Sequence, residues 1–147
     1  MKTSDPVLFD KLTVRRDGRS QTRWREILLR DIEYLLNDAA HSASLKLQRY
    51  AHCETAVVNY GLPSLSQQLP VTNDLLALAR QIQRIIATFE PRLDPRSIKV
   101  VPLIDKDQTW VLAILFDIHA RCILPGEEIL MNLRIALDYS YGIVRVL

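Results

Sequence analysis

The sequence predicts an α+β domain in which N-terminal helices pack on one face of a C-terminal antiparallel four-stranded meander. Two segments in the first two thirds of the chain carry apolar residues at three- and four-residue steps, the spacing of amphipathic helices. The last third changes to β-branched runs separated by turn residues. Because the helices come first and the strands follow as a run, the elements fit an α+β arrangement of layers.

We expect one folded domain, residues 20–147, preceded by an extended arm, residues 1–19. A chain of 147 residues is long enough to bury roughly two thirds of its unfolded surface in a single core. The arm has few apolar side chains and ends in a basic run, Arg15 to Arg19. This run either contacts an acidic surface or is simply solvated.

The composition of the chain indicates which binding partners and which cellular compartment to expect. Nineteen Lys and Arg residues against seventeen Asp and Glu leave a net charge of +2. This charge is too small for the strong field of a protein that binds phosphate backbones, so nucleic acid is not the expected partner. No segment has the apolar length of a signal peptide or a membrane span. We therefore expect a cytoplasmic protein without direct membrane insertion, whose Cys53 and Cys122 stay reduced.

The most strongly patterned segment of the first half is residues 20–38, with Ser20 or Thr22 as the predicted N-cap. Its apolar positions follow the period of 3.6 residues, so they form one face that we expect to be buried. This face comprises Trp24, Ile27, Leu28, Ile32, Leu35 and Leu36.

The middle of the chain has weaker patterns. We expect residues 39–53 to form a loop with a turn or two of helix. Residues 54–63 predict a short helix closed by Gly61 in the left-handed conformation, with Leu62 folded back on Val57.

A second amphipathic segment, residues 72–89, begins at a predicted Thr72 or Asn73 cap. Pro91 ends it, because the residue before a proline is disfavoured in the α region. The stripe that we expect to lie on the core comprises Leu75, Leu78, Ala79, Ile82, Ile85, Ile86 and Phe89.

Four strands are predicted in the last third, at residues 97–104, 109–120, 129–138 and 141–147. Alternation in the third strand places one face in the core and the other in water. The second strand is apolar on both faces, which predicts a central position in the sheet.

The stretch FEPRL, Phe89–Leu93, places an acid and a base on either side of a proline at the end of a helix. Proline stiffens the backbone between Glu90 and Arg92, so both side chains are expected to project in fixed directions. Arginine presents a planar fork that suits bidentate pairing across an interface. The three residues Glu90, Pro91 and Arg92 are therefore a candidate partner-binding site, with solubility as the alternative role of the charges.

Other residue patterns offer weaker hypotheses of chemistry. Two carboxylate pairs, Glu90 with Asp94 and Glu127 with Glu128, have the residue types of glycoside hydrolysis, but no further feature supports catalysis. Nucleotide-binding glycine loops and the nucleophile elbow are absent from the sequence.

Two His and Cys pairs, His52 with Cys53 and His119 with Cys122, contain ligand types that zinc prefers. They lack the double-loop spacing of a zinc site, so a buried Cys and a strand-end His are the expected explanation. We predict no catalytic residue, metal or cofactor.

Several motifs in order resemble one known family. They are LFDKL (8–12), RDIEYLLN (30–37), VVNYGLPSLS (57–66), FEPRL (89–93) and the closing meander of strands. Over residues 8–147 the chain resembles the TssE family of type VI secretion baseplate subunits, which is related to the baseplate wedge protein of contractile-tailed phages. Ser64 departs from an Asp that is common in that family.

The resemblance implies a non-enzymatic assembly protein in a bacterial baseplate that docks at the inner membrane. It also implies that Glu90, Pro91 and Arg92 anchor the subunit to wedge partners, and that the sheet is the platform for the first sheath ring. It implies no small-molecule substrate. Because relatives were once labelled lysozyme-like, peptidoglycan hydrolysis is the alternative function, and a nucleic-acid adaptor that uses the basic arm is a third.

The last strand is the expected site of strand addition. The edge strand of a meander has unpaired N–H and C=O groups, which a partner strand can complete. Ile143, Val144, Arg145 and Val146 include only one charge, so this edge is poorly protected in the sequence. We predict that a sheath subunit pairs with it.

Overall fold

The chain folds as helices followed by a single sheet in the computed structural model, which describes residues 20–38, 49–63, 75–103, 113–124, 127–138 and 141–147. The elements are α1 (Ser20–Asn37), α2 (Ala51–Glu54), a 3-10 helix (Val57–Asn59), α3 (Leu75–Phe89), β1 (Lys99–Leu103), β2 (Ala113–Leu124), β3 (Glu127–Asp138) and β4 (Ile143–Val146). The four strands form one antiparallel sheet in the order β1-β2-β3-β4. The predicted α+β class and the meander are confirmed, whereas the arm, residues 1–19, lies outside the described residues.

One hydrophobic core joins the long helices to the inner face of the sheet. The predicted apolar faces of α1 and α3 point into it, although Trp24, Leu75 and Phe89 are only partly buried. Side chains that are almost completely inaccessible include Leu28, Ile32, Leu35, Leu36, Ile82, Ile86, Leu93, Ile98, Phe116, Ile118, Ile135 and Leu137. Glu90 is the buried charged residue among those described.

The ends of the two long helices can be compared with the ends predicted from the sequence. Helix α3 ends at Phe89, two residues before Pro91, as predicted. The cap residues predicted for α3, Thr72 and Asn73, lie outside the described residues. Helix α1 runs from Ser20 and includes Thr22, so both residues predicted as its N-cap lie within the bounds of the helix. No helix in the described part of the chain is long and apolar enough to span a membrane.

The middle segment differs from the predicted short helix. A single helical turn, α2, stops at Glu54, and the 3-10 helix follows. Gly61 has the expected positive φ, 113°, but Leu62 does not fold back on Val57. Val57 is 83% exposed, while Leu62 lies in the core and donates its N–H to the Asp38 carbonyl oxygen at 2.9 Å. The core offers Leu62 more apolar surface than one valine could.

The two long strands differ from their predicted bounds, and the outer face of the sheet is more polar than predicted. Strand β2 runs on to Leu124 and β3 starts at Glu127, so the two strands pair over twelve residues each. Strand β2 is central, as expected, but its outer face mixes polar with apolar residues instead of being apolar throughout. Its outer face carries Asp117, His119 and Arg121, because no helix of the described residues covers that side.

Cross-strand polar pairs line the outer face between β2 and β3. Arg134 donates from Nε and Nη2 to the two carboxylate oxygens of Asp117 at 2.7 and 3.0 Å. His119 Nδ1 lies 2.7 Å from the side-chain oxygen of Asn132. Hydrogen bonds from Arg134 hold the pKa of Asp117 below its ordinary value.

Candidate functional site at the Glu90–Arg92 corner and the sheet edges

The chain turns sharply at the end of α3. The Glu90 N–H donates to the Ile86 carbonyl oxygen at 2.9 Å, which is the last hydrogen bond of the helix. The Leu93 N–H then donates to the Glu90 carbonyl oxygen at 3.2 Å. Pro91 lies between these bonds and has no N–H to continue the helix. Its ring is exposed, so Pro91 forms the tip of a corner.

Glu90 and Arg92 point toward each other across this corner. Arg92 Nε donates to Glu90 Oε1 at 2.6 Å and Arg92 Nη2 to Oε2 at 2.5 Å, a bidentate pair. The Arg92 backbone N–H also donates to Oε1 at 3.1 Å. The Glu90 side chain is 5% exposed and that of Arg92 is 11% exposed. The side chains are held in fixed directions, but the expectation that they project outward toward a partner is wrong, because the two charges are buried against each other.

A third partner, Asp31 of α1, was not identified from the sequence. Arg92 Nη2 donates to Asp31 Oδ2 at 2.7 Å. Arg30 donates from Nε and Nη2 to the other oxygen, at 3.0 and 2.7 Å. The only sign of this contact in the sequence is the base and acid next to each other, Arg30 and Asp31, in RDIEYLLN. The resulting cluster of alternating charges ties α1 to the corner, and we call it the corner cluster (Arg30, Asp31, Glu90 and Arg92).

Strand β2 holds the other side of the corner. Ile123 donates its N–H to the Arg92 carbonyl at 2.9 Å, and Asp94 donates to the Arg121 carbonyl at 2.9 Å. Between them, Leu93 pairs with Cys122 as an isolated antiparallel bridge. The corner is therefore fixed to the sheet by backbone bonds as well as to α1 by charge.

Tyr60 brings the NYGLP segment to the same place. Its ring meets Phe89 edge to face with centroids 5.4 Å apart. Burial, followed by the nearby carboxylates of Asp31 and Glu90, raises the pKa of Tyr60. Residues from three of the motifs thus converge within one region.

The charges at the corner shift the pKa values of their neighbours. Burial alone would lower the pKa of Arg92, but hydrogen bonds and charge from Glu90 and then Asp31 raise it above its ordinary value. Burial raises the pKa of the Cys122 thiol, although the nearby Arg92 charge opposes the rise. The guanidinium is thus locked in its charged form, and the thiol is a poor nucleophile.

The outer edge of β4 is closed where we expected it to be open. The Asn37 amide donates to the Val144 carbonyl at 2.7 Å, and its oxygen accepts from the Val144 N–H at 2.8 Å. Glu33 Oε2 accepts from the Val146 N–H at 3.4 Å. Two side chains of α1 thus take the place of a partner strand, so the prediction of an unprotected edge from Ile143 to Val146 is wrong.

The candidate catalytic acids are bound to cations. Glu90 accepts from Arg92, and Asp94 accepts from Arg121 Nη2 at 2.8 Å. Glu128 is largely exposed and lies 3.9 Å from Arg121, while the Glu127 side chain lies outside the described residues. Among the described residues, Glu90, Asp94 and Glu128 therefore each lie beside an arginine, whereas glycoside hydrolysis needs two carboxyl groups on opposite sides of a sugar bond.

Of the two candidate zinc pairs, one is divided between the two faces of the sheet and the other lies on α2. His119 is exposed on the outer face of β2, whereas Cys122 faces the core three residues later. His52 is exposed on α2 beside a half-buried Cys53. Among the residues that the structure describes, no three His, Cys, Asp or Glu side chains group as metal ligands would.

Comparison with known proteins gives one family. The family model described as "Baseplate wedge protein gp25" matches residues 22–124, a span that includes most of α1, the corner and β2. No curated protein and no solved structure matches the chain significantly.

Proposed function

Because the chain belongs to the baseplate wedge protein gp25 family, we propose that it is the baseplate subunit of a type VI secretion system that binds wedge subunits and starts the sheath. In this role it works in the cytoplasm, in a baseplate docked at the inner membrane. The family indicates a structural component of a phage-like baseplate. The secretion system, the wedge partners and the sheath are the parts that we propose.

The convergence of three segments at one rigid corner carries this proposal. The corner cluster, the Tyr60 ring contact and the backbone bonds to β2 all hold the tip around Pro91 in a single position. A surface that is fixed before binding loses little conformational entropy on association. We propose that Pro91 and the rim around it contact a wedge subunit, while Glu90 and Arg92 support that rim from beneath.

The outer face of the sheet supports the proposed sheath role. Its apolar side chains include Val101, Leu103, Ile123, Leu130 and Ile143, all exposed. Exposed apolar residues on a face that no described helix covers are suited to association with other chains. A sheath subunit is the partner that we assign to this side.

Substitution of Pro91 tests the wedge contact. We expect Pro91→Ala to keep the free energy of unfolding within the range of surface variants, yet to reduce recovery of the chain with assembled baseplates. Pro95→Ala is the matched control, because Pro95 is also exposed in the turn that follows. If both variants co-purify with wedge subunits as the unaltered chain does, the corner is not the wedge contact.

A further inference from the structure

We propose that the flank of α1 beside the corner cluster is a second part of the wedge contact, with Tyr34 as its apolar anchor and Arg30 as its charged group. The flank takes a segment of a wedge subunit in which an apolar side chain lies close to a carboxylate. This inference rests on the proposed function, to which it adds contact residues outside the Glu90–Arg92 corner and the chemistry of the partner.

One flank of α1 faces the corner and the segment that follows the 3-10 helix. Tyr34 lies three residues after Asp31 and four before Asp38, so the three side chains share this flank. Asp31 accepts from Arg92 of the corner at 2.7 Å. The Asp38 carbonyl accepts from the Leu62 N–H at 2.9 Å. Tyr34 therefore lies between two points at which α1 is tied to its neighbours.

Tyr60 lies between this flank and the corner. Burial is the main cause of its raised pKa, and the charges of Asp31, Glu90 and Asp38 add to the rise. The Tyr60 ring also contacts Phe89 at the end of α3. Because Tyr60 is close to both the flank and the corner, the two border the same region of the surface.

The Tyr34 side chain is available to a partner. Tyr34 is 64% exposed, and its backbone carbonyl accepts from the Asp38 N–H at 3.0 Å. Long side chains of a helix lean toward its N-terminus, so the ring covers the turn that contains Arg30. A tyrosine brings a large apolar ring to an interface and loses the freedom of only two torsions, which makes it a frequent anchor of binding.

Arg30 is the outermost charge of the corner cluster. Side-chain exposure rises along the cluster from 5% in Glu90 and 11% in Arg92 to 20% in Asp31 and 38% in Arg30. The Arg30 guanidinium is held by two bonds to Asp31 Oδ1, at 3.0 and 2.7 Å. A partner that approaches the cluster therefore meets a positive charge whose position is already fixed.

The two groups define the chemistry of the partner. Arg30 and Tyr34 are four residues apart on the helix, so their Cβ atoms lie about 6 Å from each other. A guanidinium has five N–H donors, so Arg30 can pair with a carboxylate of the partner and keep its bonds to Asp31. The acids Glu26, which is exposed one turn before Arg30, and Asp31 disfavour a phosphate backbone in the same place. A polypeptide segment with an apolar side chain near a carboxylate fits both groups.

Removal of the Tyr34 ring tests the apolar anchor. With purified wedge subunits of the same secretion system as the probe, we expect Tyr34→Ala to raise the Kd about thirtyfold and Tyr34→Phe to leave it nearly unchanged. Tyr141→Ala is the matched control, because Tyr141 is 79% exposed in the turn before β4, away from this flank. The midpoint of urea denaturation should stay the same in all three variants. An unchanged Kd in Tyr34→Ala would overturn the inference.

The charged group is tested by salt. Arg30→Gln removes the outer charge and leaves the bond between Asp31 and Arg92. We expect this variant to bind wedge subunits about tenfold more weakly at low salt and to lose less affinity than the unaltered chain as salt is raised. Arg145→Gln, at an exposed position of β4, is the control. The same salt dependence in Arg30→Gln and the unaltered chain would show that Arg30 is not the charged contact.

A photoreactive phenylalanine analogue at position 34 provides a measurement that does not depend on a loss of binding. We expect it to cross-link to a wedge subunit in the assembled complex, at a peptide that contains an apolar residue close to Asp or Glu. The same analogue at position 141 should give no such product. A complex that forms without a cross-link from position 34 would overturn the inference.

The outcomes separate this inference from the proposed function. If the unaltered chain binds wedge subunits and Pro91→Ala binds more weakly while Tyr34→Ala does not, the α1 flank is wrong and the wedge role stands. If the unaltered chain binds no wedge subunit, both fail. If Tyr34→Ala weakens binding of sheath subunits instead of wedge subunits, the flank belongs to another contact and the inference is overturned.

Discussion

The side-chain amide of Asn37 binds both backbone groups of Val144, donating to the carbonyl at 2.7 Å and accepting from the N–H at 2.8 Å. This pattern is the one that a neighbouring residue in an antiparallel strand would present. A helix therefore closes the sheet edge through one side chain, without a further strand. Edge strands need such protection against unwanted pairing.

Removal of this amide should open β4. We expect Asn37→Ala to lower the free energy of unfolding by about 1–2 kcal/mol, because the Val144 N–H and C=O lose their partners. Asn37→Asp should cost less, since the carboxylate still accepts from the N–H. Urea denaturation measures the stability, and exchange of the Val144 amide reports the opening. Unchanged exchange in Asn37→Ala would show that the amide does not protect this edge.

Removal of the Arg92 charge should destabilise the fold itself. Glu90 is nearly inaccessible, so Arg92→Met leaves a buried carboxylate without its bidentate partner. We expect the free energy of unfolding to fall by about 3 kcal/mol. Arg96→Met is the control, because Arg96 is exposed in the following turn, and it should stay within about 0.5 kcal/mol of the unaltered chain.

A double-mutant cycle tests whether Glu90 and Arg92 act as a pair. The combination of Glu90→Gln with Arg92→Met removes both charges, so it should cost less than the sum of the two single changes. Additive losses in urea denaturation would show that the two side chains contribute independently. Asp31→Asn should cost less than Arg92→Met, because Asp31 is more exposed than Arg92 and Glu90.

Acid should weaken the outer face of the sheet through Asp117. Arg134 lowers the pKa of Asp117 in the folded chain, so the pair contributes stability above the unfolded pKa of about 4 and loses it as the pH falls through the folded value. The stability difference between the unaltered chain and Asp117→Asn should therefore be present at pH 6 and shrink as the pH falls below about 4. A difference that persists in acid would contradict this assignment.

Gly142 should be sensitive to substitution for reasons of backbone conformation alone. Its φ is 65°, in the left-handed region, and a Cβ atom built there would meet nothing within 4 Å. We expect Gly142→Ala to lower the free energy of unfolding by about 1 kcal/mol. Gly142→Asn should cost less, because asparagine tolerates this conformation better. Equal stability of all three chains would argue against strain in the turn before β4.

Local patterns were sufficient for most of the fold. The stripes of α1 and α3, the stop before Pro91 and the alternation in β3 each depend on neighbours a few residues away, so the sequence shows them directly. The middle segment was less predictable. Leu62 packs in the core instead of on Val57, because the apolar surface that it covers comes from distant parts of the chain.

The sequence predicted which residues form the site, but not which residues they contact. FEPRL shows an acid, a proline and a base, yet the sequence does not show that Asp31, some sixty positions earlier, completes their charge balance. Likewise, the exposed appearance of β4 in the sequence gives no sign that Asn37 and Glu33 lie beside it. Each of these contacts joins elements that only the packing of α1 on the sheet brings together.

The sequence by itself determined the class of fold, the order of its elements, the face that each long helix buries and the residues of the corner. The tertiary structure decided that the charges at the corner face each other, and that side chains of α1 occupy the outer edge of β4. The physical reason is the distance along the chain over which each property is set, because helix and strand periodicity depend only on residues a few positions apart. The satisfaction of a buried charge or a backbone edge depends on groups that folding brings from far along the chain.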